Sequence, residues 1–148
     1  MTAPTGLQPN AQATVKTWHE ALETGDLSAL PDLTSDQVVF RSPAVFTPFA
    51  GKQAFVFIIH MVYEIFEDFH YLRQFATDDG SGAVLEFEAR IGDKSLKGID
   101  MIRFDDEGRI CEFEVMIRPA NALALLAQKM GEKAGPGLAQ MRAAANAN

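Results

Sequence analysis

The chain has 148 residues, 47% of them hydrophobic, and a formal net charge of −7 at pH 7. This length and composition are sufficient for one domain with a single core. The acidic charge balance disfavours binding to nucleic acid and to anionic membrane surfaces, since both need clustered basic side chains.

The cysteine and histidine content argues against a metal site. The one cysteine, Cys111, falls inside a predicted strand, so neither a disulfide framework nor a cysteine-based zinc site is expected. The three histidines show no metal-ligand spacing. No apolar run reaches the roughly 18 residues of a membrane span, and the N-terminus lacks the pattern of a secretory signal. The expected location is the cytoplasm.

Helical patterns dominate the first half of the chain. Val15, Trp18 and Leu22 recur at helical spacing before Gly25, which predicts a first helix. The stretch KQAFVFIIHMVYEIFEDF carries apolar residues on more than one face, which indicates a helix buried on several sides. The predicted helices cover residues 10–24, 26–30 (ended by Pro31), 52–69 and 119–130 (ended by Gly131).

The apolar period changes to two in the second half of the chain. Short turns separate four such segments, which predicts an antiparallel meander. Helices followed by an antiparallel sheet give an α+β domain, with the helices on one face of the sheet. The predicted strands cover residues 38–42, 70–78, 82–92, 94–104 and 108–118. We expect one domain over 10–130, with residues 1–9 and 131–148 largely flexible because they hold few large apolar side chains.

The segment KSLKGIDMIRF places Asp100 on the apolar face of a strand. A turn at 93–94 is expected to pair Ile91 with Leu96, which puts Asp100 opposite Phe87. The next turn puts Phe113 opposite Asp100 on its other side. Gly98 and Ala89 are expected to leave open space on this face.

A carboxyl group in such a place must be paired, protonated or directed into a cavity. Our hypothesis is a neutral, proton-donating Asp100. The alternative is a structural carboxylate that accepts hydrogen bonds from backbone or hydroxyl donors.

Two other side chains are candidates for the same site. His60 interrupts the apolar run FVFIIHMVY, and its imidazole could act as the general base. A hydrogen-bonded core histidine is the alternative. Trp18 faces inward on the first helix, either as a wall of the pocket that donates its N–H or as a core residue.

The segments WHEALETGDLSAL, GKQAFVFIIH and KGIDMIRFDDEGRICEFEVMIRPANAL resemble the SnoaL-like, nuclear transport factor 2-like superfamily over roughly residues 10–130. They resemble a bacterial branch of it that lacks an agreed reaction. The resemblance implies a cone-shaped α+β fold, in which N-terminal helices and a C-terminal helix pack on a curved antiparallel sheet around a pocket. The convex face of the sheet is expected to carry Ile99, Met101 and Met116. These side chains either form the contact face of a homodimer, as in relatives with this fold, or are simply partly exposed.

Better-understood members of the superfamily suggest different chemistries. In the resemblance to ketosteroid isomerases, Asp100 matches the protonated aspartate, while Trp18 and Ser42 replace the second donor and the base. That isomerisation is therefore not expected. The epoxide hydrolase-like pattern keeps only Asp100, since Gly98 and Val115 stand where its other two residues would be. Cyclase-like and dehydratase-like members pair a histidine with an aspartate or tyrosine, for which His60 and Tyr63 are available.

Together these observations predict a mostly apolar pocket for a small ring-containing or terpenoid-like molecule. The preferred function is a cofactor-independent lyase, isomerase or hydrolase, in which Asp100 donates a hydrogen bond or proton and His60 removes a proton. The alternative is a non-catalytic ligand-binding or dimeric interaction domain. The residues expected to bind the ligand are Trp18, Phe40, Phe55, Ile59, Tyr63, Phe87, Phe113 and Val115.

Overall fold

The computed structural model describes the backbone of residues 1–146 and the side chains of residues 1–142. It is an α+β structure, as predicted, with N-terminal helices and a C-terminal helix packed on a curved sheet. The helices are α1 (Pro9–Thr24), α2 (Leu30–Leu33), α3 (Lys52–Ile65) and α4 (Ala120–Asn146). The strands are β1 (Thr34–Arg41), β2 (Phe49–Ala50), β3 (Glu67–Ala76), β4 (Gly82–Ile91), β5 (Lys94–Phe104) and β6 (Ile110–Arg118).

One sheet holds all these strands in the order β2-β1-β6-β5-β4-β3. Strands β3 to β6 form the predicted antiparallel meander. The sheet is mixed, because β1 pairs parallel to β6 and β2 pairs antiparallel to β1. The order puts β5, which carries Asp100, between β4 and β6 and away from both edges.

The predicted strand register is wrong by two residues. A tight turn at Gly92-Asp93 pairs Ile91 with Lys94, and Gly92 has the positive φ of 59° that such turns require. Asp100 therefore lies opposite Leu85 and Val115 rather than opposite Phe87 and Phe113. Because side chains alternate along a strand, a slip of two residues leaves Asp100 on the predicted face.

The boundaries of two helices also differ from the predictions. The short helix is Leu30–Leu33, and Pro31 lies in its first turn, where the missing N–H is not needed, instead of ending an earlier helix. Helix α3 ends at Ile65, before the predicted end at residue 69. The chain then enters β3, where Asp68 has a positive φ of 54° and the pairing register with β4 shifts. This irregularity interrupts the alternation of side chains, and the rings of Phe66 and Phe69 stack with their centroids 5.9 Å apart.

Helix α4 does not stop at Gly131 but continues to Asn146. Tertiary contacts support the extension. Gly137 allows a close approach to Phe57, since a Cβ at this position would lie 2.9 Å from the Phe57 ring. The Arg142 guanidinium lies 3.9 Å from the ring centroid of Phe49 and donates a hydrogen bond to the Thr47 carbonyl at 3.0 Å. The expected flexibility of residues 1–9 and 131–148 remains a prediction, and residues 147–148 lie outside the described backbone.

The core lies between the helices and the concave face of the sheet. Its centre is an aromatic cluster in which Phe55 contacts both Trp18 and Phe113. Within residues 1–146, no helix is both long enough and apolar enough to cross a membrane.

Candidate functional site

A cavity of about 270 Å³ lies between α1, α3, α4 and the concave face of the sheet. Its walls are mostly apolar, and among the side chains that the structure describes they include no lysine, arginine or histidine. The lining residues are Trp18, Leu22, Phe40, Pro43, Ile59, Val62, Tyr63, Phe66, Asp68, Phe69, Tyr71, Phe87, Asp100, Phe113, Val115, Ile117 and Leu126.

A chain of two hydrogen bonds crosses the apolar wall. The Trp18 indole N–H donates to the Tyr71 hydroxyl oxygen at 2.9 Å, and the Tyr71 hydroxyl donates to Oδ2 of Asp100 at 2.7 Å. The three residues come from α1, β3 and β5, so the chain links the first helix to the middle of the sheet. Asp100 itself is buried, with 6% of its surface exposed.

Burial dominates the protonation of this pair. It raises the pKa of Asp100 to about 7, and the hydrogen bond from Tyr71 opposes the rise only in part. Burial and the neighbouring Asp100 charge raise the pKa of Tyr71 well above its ordinary value. Near neutral pH the Tyr71 hydroxyl therefore keeps its proton, while a large share of the Asp100 carboxyl is neutral.

The second carboxyl oxygen of Asp100, Oδ1, is available to the cavity. Among residues 1–142, whose side chains the structure describes, only Tyr71 forms a hydrogen bond with the Asp100 side chain, and it does so at Oδ2. Oδ1 is also not among the fully enclosed polar atoms without a partner. Since Asp100 lines the cavity, Oδ1 is the atom of this carboxyl group that a ligand can contact.

Most of the residues expected around the pocket do line it. Phe55 does not, because its fully buried ring packs behind the wall. Its ring centroid lies 6.4 Å from that of Trp18 and 5.2 Å from that of Phe113. The expected lining residues found in the wall are Trp18, Phe40, Ile59, Tyr63, Phe87, Phe113 and Val115, together with Asp100.

The structure does not bring His60 to Asp100. His60 is exposed and is not part of the cavity wall. The reason is the rotation of α3: Ile59, Val62 and Tyr63 face the cavity, and the residue directly after Ile59 turns away by about 100°. The proposed pairing of His60 as base with Asp100 as acid is therefore not supported by the geometry.

Sequence reasoning missed Tyr71, whose hydroxyl donates a hydrogen bond to Asp100. The signal was present, because Tyr71 follows Phe69 at the strand period of two and lies opposite Phe87, so its hydroxyl falls on the inner face. A search for a donor to the buried Asp100 carboxyl on the neighbouring strands would have found it.

The remaining polar groups near the cavity are already paired. The Asp68 carboxylate, at the rim, accepts a hydrogen bond from Arg90 at 2.8 Å. The Tyr63 hydroxyl donates to the Leu22 carbonyl at 3.3 Å and so joins α3 to the end of α1. Arg73 donates two hydrogen bonds, of 2.8 and 2.7 Å, to the Glu86 carboxylate and is not part of the cavity wall.

A protein-family model described as a SnoaL-like domain matches residues 15–113, which is more than half of the chain. Among curated proteins no relative matches the sequence. Solved structures give closer comparisons, and the chain is similar to several bacterial proteins.

A steroid delta-isomerase from Pseudomonas aeruginosa is 50% identical, with a TM-score of 0.86 over 90% of this chain and 97% of that one. A protein with a cystatin-like fold from Silicibacter pomeroyi is 26% identical, with a TM-score of 0.78 over 87% of each chain. A nuclear transport factor 2-like protein of unknown function from Mesorhizobium loti shares the fold at 21% identity, with a TM-score of 0.67 over 80% of this chain and 100% of that one. The match to the family model over residues 15–113, together with the fold described above, shows that this chain belongs to the SnoaL-like family of nuclear transport factor 2-like proteins.

Proposed function

We propose that this protein binds a small, mostly apolar, ring-containing molecule in the cavity, and that protonated Asp100 donates a hydrogen bond or proton to an oxygen of that molecule. The proposed reaction class is a cofactor-independent isomerisation, elimination or hydrolysis. Isomerisation was not expected from the sequence, because Ser42 replaces the base of ketosteroid isomerases. The 50% identity to a protein named as a steroid delta-isomerase nevertheless favours it within this class.

The observation that carries the proposal is the free carboxyl oxygen in an apolar chamber. The wall contains no described cationic side chain, so an anionic ligand would lack a counter-charge. A neutral ligand can bury its rings against the wall and direct one oxygen toward Oδ1 of Asp100. Such a site, with apolar walls and few fixed polar groups, is typical of small-molecule pockets.

A non-catalytic binding protein is the second candidate, and a specific observation favours it. An isomerase also needs a group that accepts the proton, and His60 does not face the cavity. Ser42 occupies the position that the resemblance assigns to the base of ketosteroid isomerases, and its hydroxyl accepts a hydrogen bond from the Ala44 N–H at 3.0 Å. The Asp68 carboxylate at the rim is bound to Arg90.

Binding of matched bicyclic ligands tests the proposal. Decalin carries no oxygen and 2-decalone carries one hydrogen-bond acceptor, so their affinity ratio measures the polar contact alone. Trp18 is the only tryptophan and lines the cavity, so its fluorescence reports occupancy.

We expect 2-decalone to bind more tightly than decalin at pH 5.5, where the Asp100 carboxyl is protonated and can donate. The ratio should fall about fivefold at pH 8.5, since ionised Asp100 can only accept. The Asp100→Asn variant keeps a neutral side chain and should lose this pH dependence. Equal affinities for the two ligands at both pH values would contradict the proposed role of Asp100.

Catalysis is tested separately with a cyclic β,γ-unsaturated ketone, whose conversion to the conjugated enone is followed by ultraviolet absorbance. Turnover that depends on Asp100 supports the isomerase. Binding without turnover supports the non-catalytic alternative.

A further inference from the structure

The hydrogen-bond chain from Trp18 to Asp100 has a fixed direction. An indole N–H can only donate, so the Tyr71 oxygen must accept at that end. Tyr71 then has one proton to give, and it lies 2.7 Å from Oδ2 of Asp100. Because Oδ2 accepts this proton, a proton on the carboxyl group itself belongs on Oδ1, the oxygen that the cavity can reach.

We propose that Trp18 is a positioning residue, whose indole N–H fixes the direction of the chain so that Oδ1 of Asp100 presents a proton to an acceptor oxygen of the ligand. This inference rests on the proposed function and adds to it the residue that orients the proton of Asp100 toward the ligand.

The donor at the start of the chain is held rigidly. Trp18 is 3% exposed and sits on α1. Its ring lies 6.4 Å from the Phe55 ring and 5.3 Å from the Phe113 ring, which restricts its rotation. A fixed donor imposes an order on the hydroxyl beside it, since a hydroxyl proton otherwise rotates to suit its neighbours.

The opposite direction of the hydrogen bond between Asp100 and Tyr71 is unfavourable. If Oδ2 of Asp100 donated to Tyr71, the Tyr71 oxygen would accept two hydrogen bonds and its own proton would point into an apolar space. An unpaired buried donor is disfavoured by roughly the desolvation of one polar group. Without the indole N–H, the Tyr71 oxygen would accept only the hydrogen bond from Asp100, so the reversed direction would become more favourable.

The ionisation of the groups around Asp100 is consistent with this order. Tyr71 stays protonated because burial and the Asp100 charge raise its pKa. The other ionisable residues in the described wall are Tyr63, which is bound to the Leu22 carbonyl, and Asp68, which is bound to Arg90. Neither forms a hydrogen bond with Asp100 in the described part of the chain.

The single tryptophan allows a direct test on the unmodified protein. A ¹⁵N-labelled sample gives one indole N–H signal, and ¹³C-detected spectra follow the Asp100 carboxyl during the same pH titration. If the two hydrogen bonds are coupled, the Trp18 indole signal should shift with the same pH midpoint as the Asp100 carboxyl signal, because Tyr71 transmits the change in charge.

Variants separate this coupling from a field effect through space. In Tyr71→Phe the Asp100 carboxyl should still titrate, with its pKa raised because the donor is lost, while the indole signal should stay constant. A constant indole signal in the wild type, or one that still follows Asp100 in Tyr71→Phe, would overturn the proposal.

Ligand preference supplies the second measurement. Trp18→Phe keeps an aromatic ring but removes both the donor and the fluorescent reporter, so affinities are measured here by isothermal titration calorimetry for all proteins. This variant should lower the ratio of 2-decalone to decalin affinity about fivefold at pH 5.5. It should also raise the Asp100 pKa, since Tyr71 becomes a weaker donor. The matched control Phe55→Leu alters the packing behind Trp18 but keeps the N–H, so both quantities should stay near the wild-type values.

The outcomes distinguish this inference from the proposed function. An unchanged ratio and an unchanged Asp100 pKa in Trp18→Phe would overturn the role of Trp18 while leaving Asp100 as the ligand-binding group. If neither decalin nor 2-decalone binds the wild type, the proposed ligand class fails, and the titration of the indole and carboxyl signals still decides whether Trp18 directs the chain.

Discussion

The buried carboxyl group of Asp100 makes the stability of the fold depend on pH. Its pKa is raised to about 7 in the folded protein from an ordinary value of 3.8, so the folded state holds a proton that the unfolded state has released. Stability from this group is therefore complete below pH 4, falls as the pH rises from 4 to 7, and is constant above that range. A difference of about three pKa units corresponds to a loss of at most about 4 kcal/mol in the free energy of unfolding between these pH values.

Asp100→Asn should remove this dependence. The amide stays neutral, and its oxygen can accept the Tyr71 hydroxyl proton, so the variant should be more stable than the wild type at pH 8.5 and similar to it at pH 4. Urea unfolding of both proteins across this pH range measures the difference. A stability difference that does not vary with pH would show that Asp100 has an ordinary pKa.

The sequence alone was informative about Asp100 and misleading about its partner. A charged residue on an apolar strand face stands out without knowledge of the register, since a two-residue slip preserves the face. The position of His60 depended on the rotation of α3, and a helix with apolar residues on several faces does not define that rotation. Tyr71 was missed because its role comes from pairing with a distant strand.

At the level of elements, Gly98 on β5 leaves no room for a side chain. A Cβ at this position would lie 2.5 Å from the Met116 carbonyl oxygen and 2.5 Å from the Phe87 ring. The space expected at Gly98 is thus filled by Phe87. The structure therefore requires glycine on β5 two residues before Asp100.

Two glycine substitutions with opposite expected effects on the free energy of unfolding test β5 and α4. Gly98→Ala should destabilise the protein by about 3 kcal/mol, because a backbone carbonyl cannot move aside as a flexible side chain can. Gly131→Ala, which meets no atom within 4 Å, should instead stabilise it by about 0.7 kcal/mol through higher helix propensity. Thermal and urea unfolding measure both. A destabilising Gly131→Ala would argue against a continuous α4.

Local sequence signals predicted the strands better than the last helix. Alternation of apolar residues and short turns is repeated along four consecutive segments, so errors at one turn do not change the architecture. Gly131, Gly135 and Pro136 locally favour an end to α4. The contacts of Gly137 with Phe57 and of Arg142 with Phe49 are long-range and cannot be read from the segment itself.

At the scale of the whole molecule, the outer face of the sheet carries exposed apolar side chains. Met101 is 40% exposed and Met116 is 46% exposed. Ile99 pairs with Met116 and lies two residues before Met101 on β5. The Arg103–Glu112 ion pair lies beside this group. An apolar centre with a charged rim is the arrangement of a self-complementary interface, and we propose that the protein forms a homodimer through this face.

Sedimentation equilibrium tests the dimer. The wild type should sediment as a dimer at micromolar concentration, and Met116→Glu should be a monomer, because two symmetry-related carboxylates would be buried at the centre of the interface without partners. Val45→Glu is the matched control, since Val45 is also 46% exposed but lies in the loop after β1. It should remain a dimer. A monomeric wild type, or a dimeric Met116→Glu, would exclude this face as the interface, whereas dissociation by Val45→Glu alone would place the contact at the loop near the mouth of the cavity.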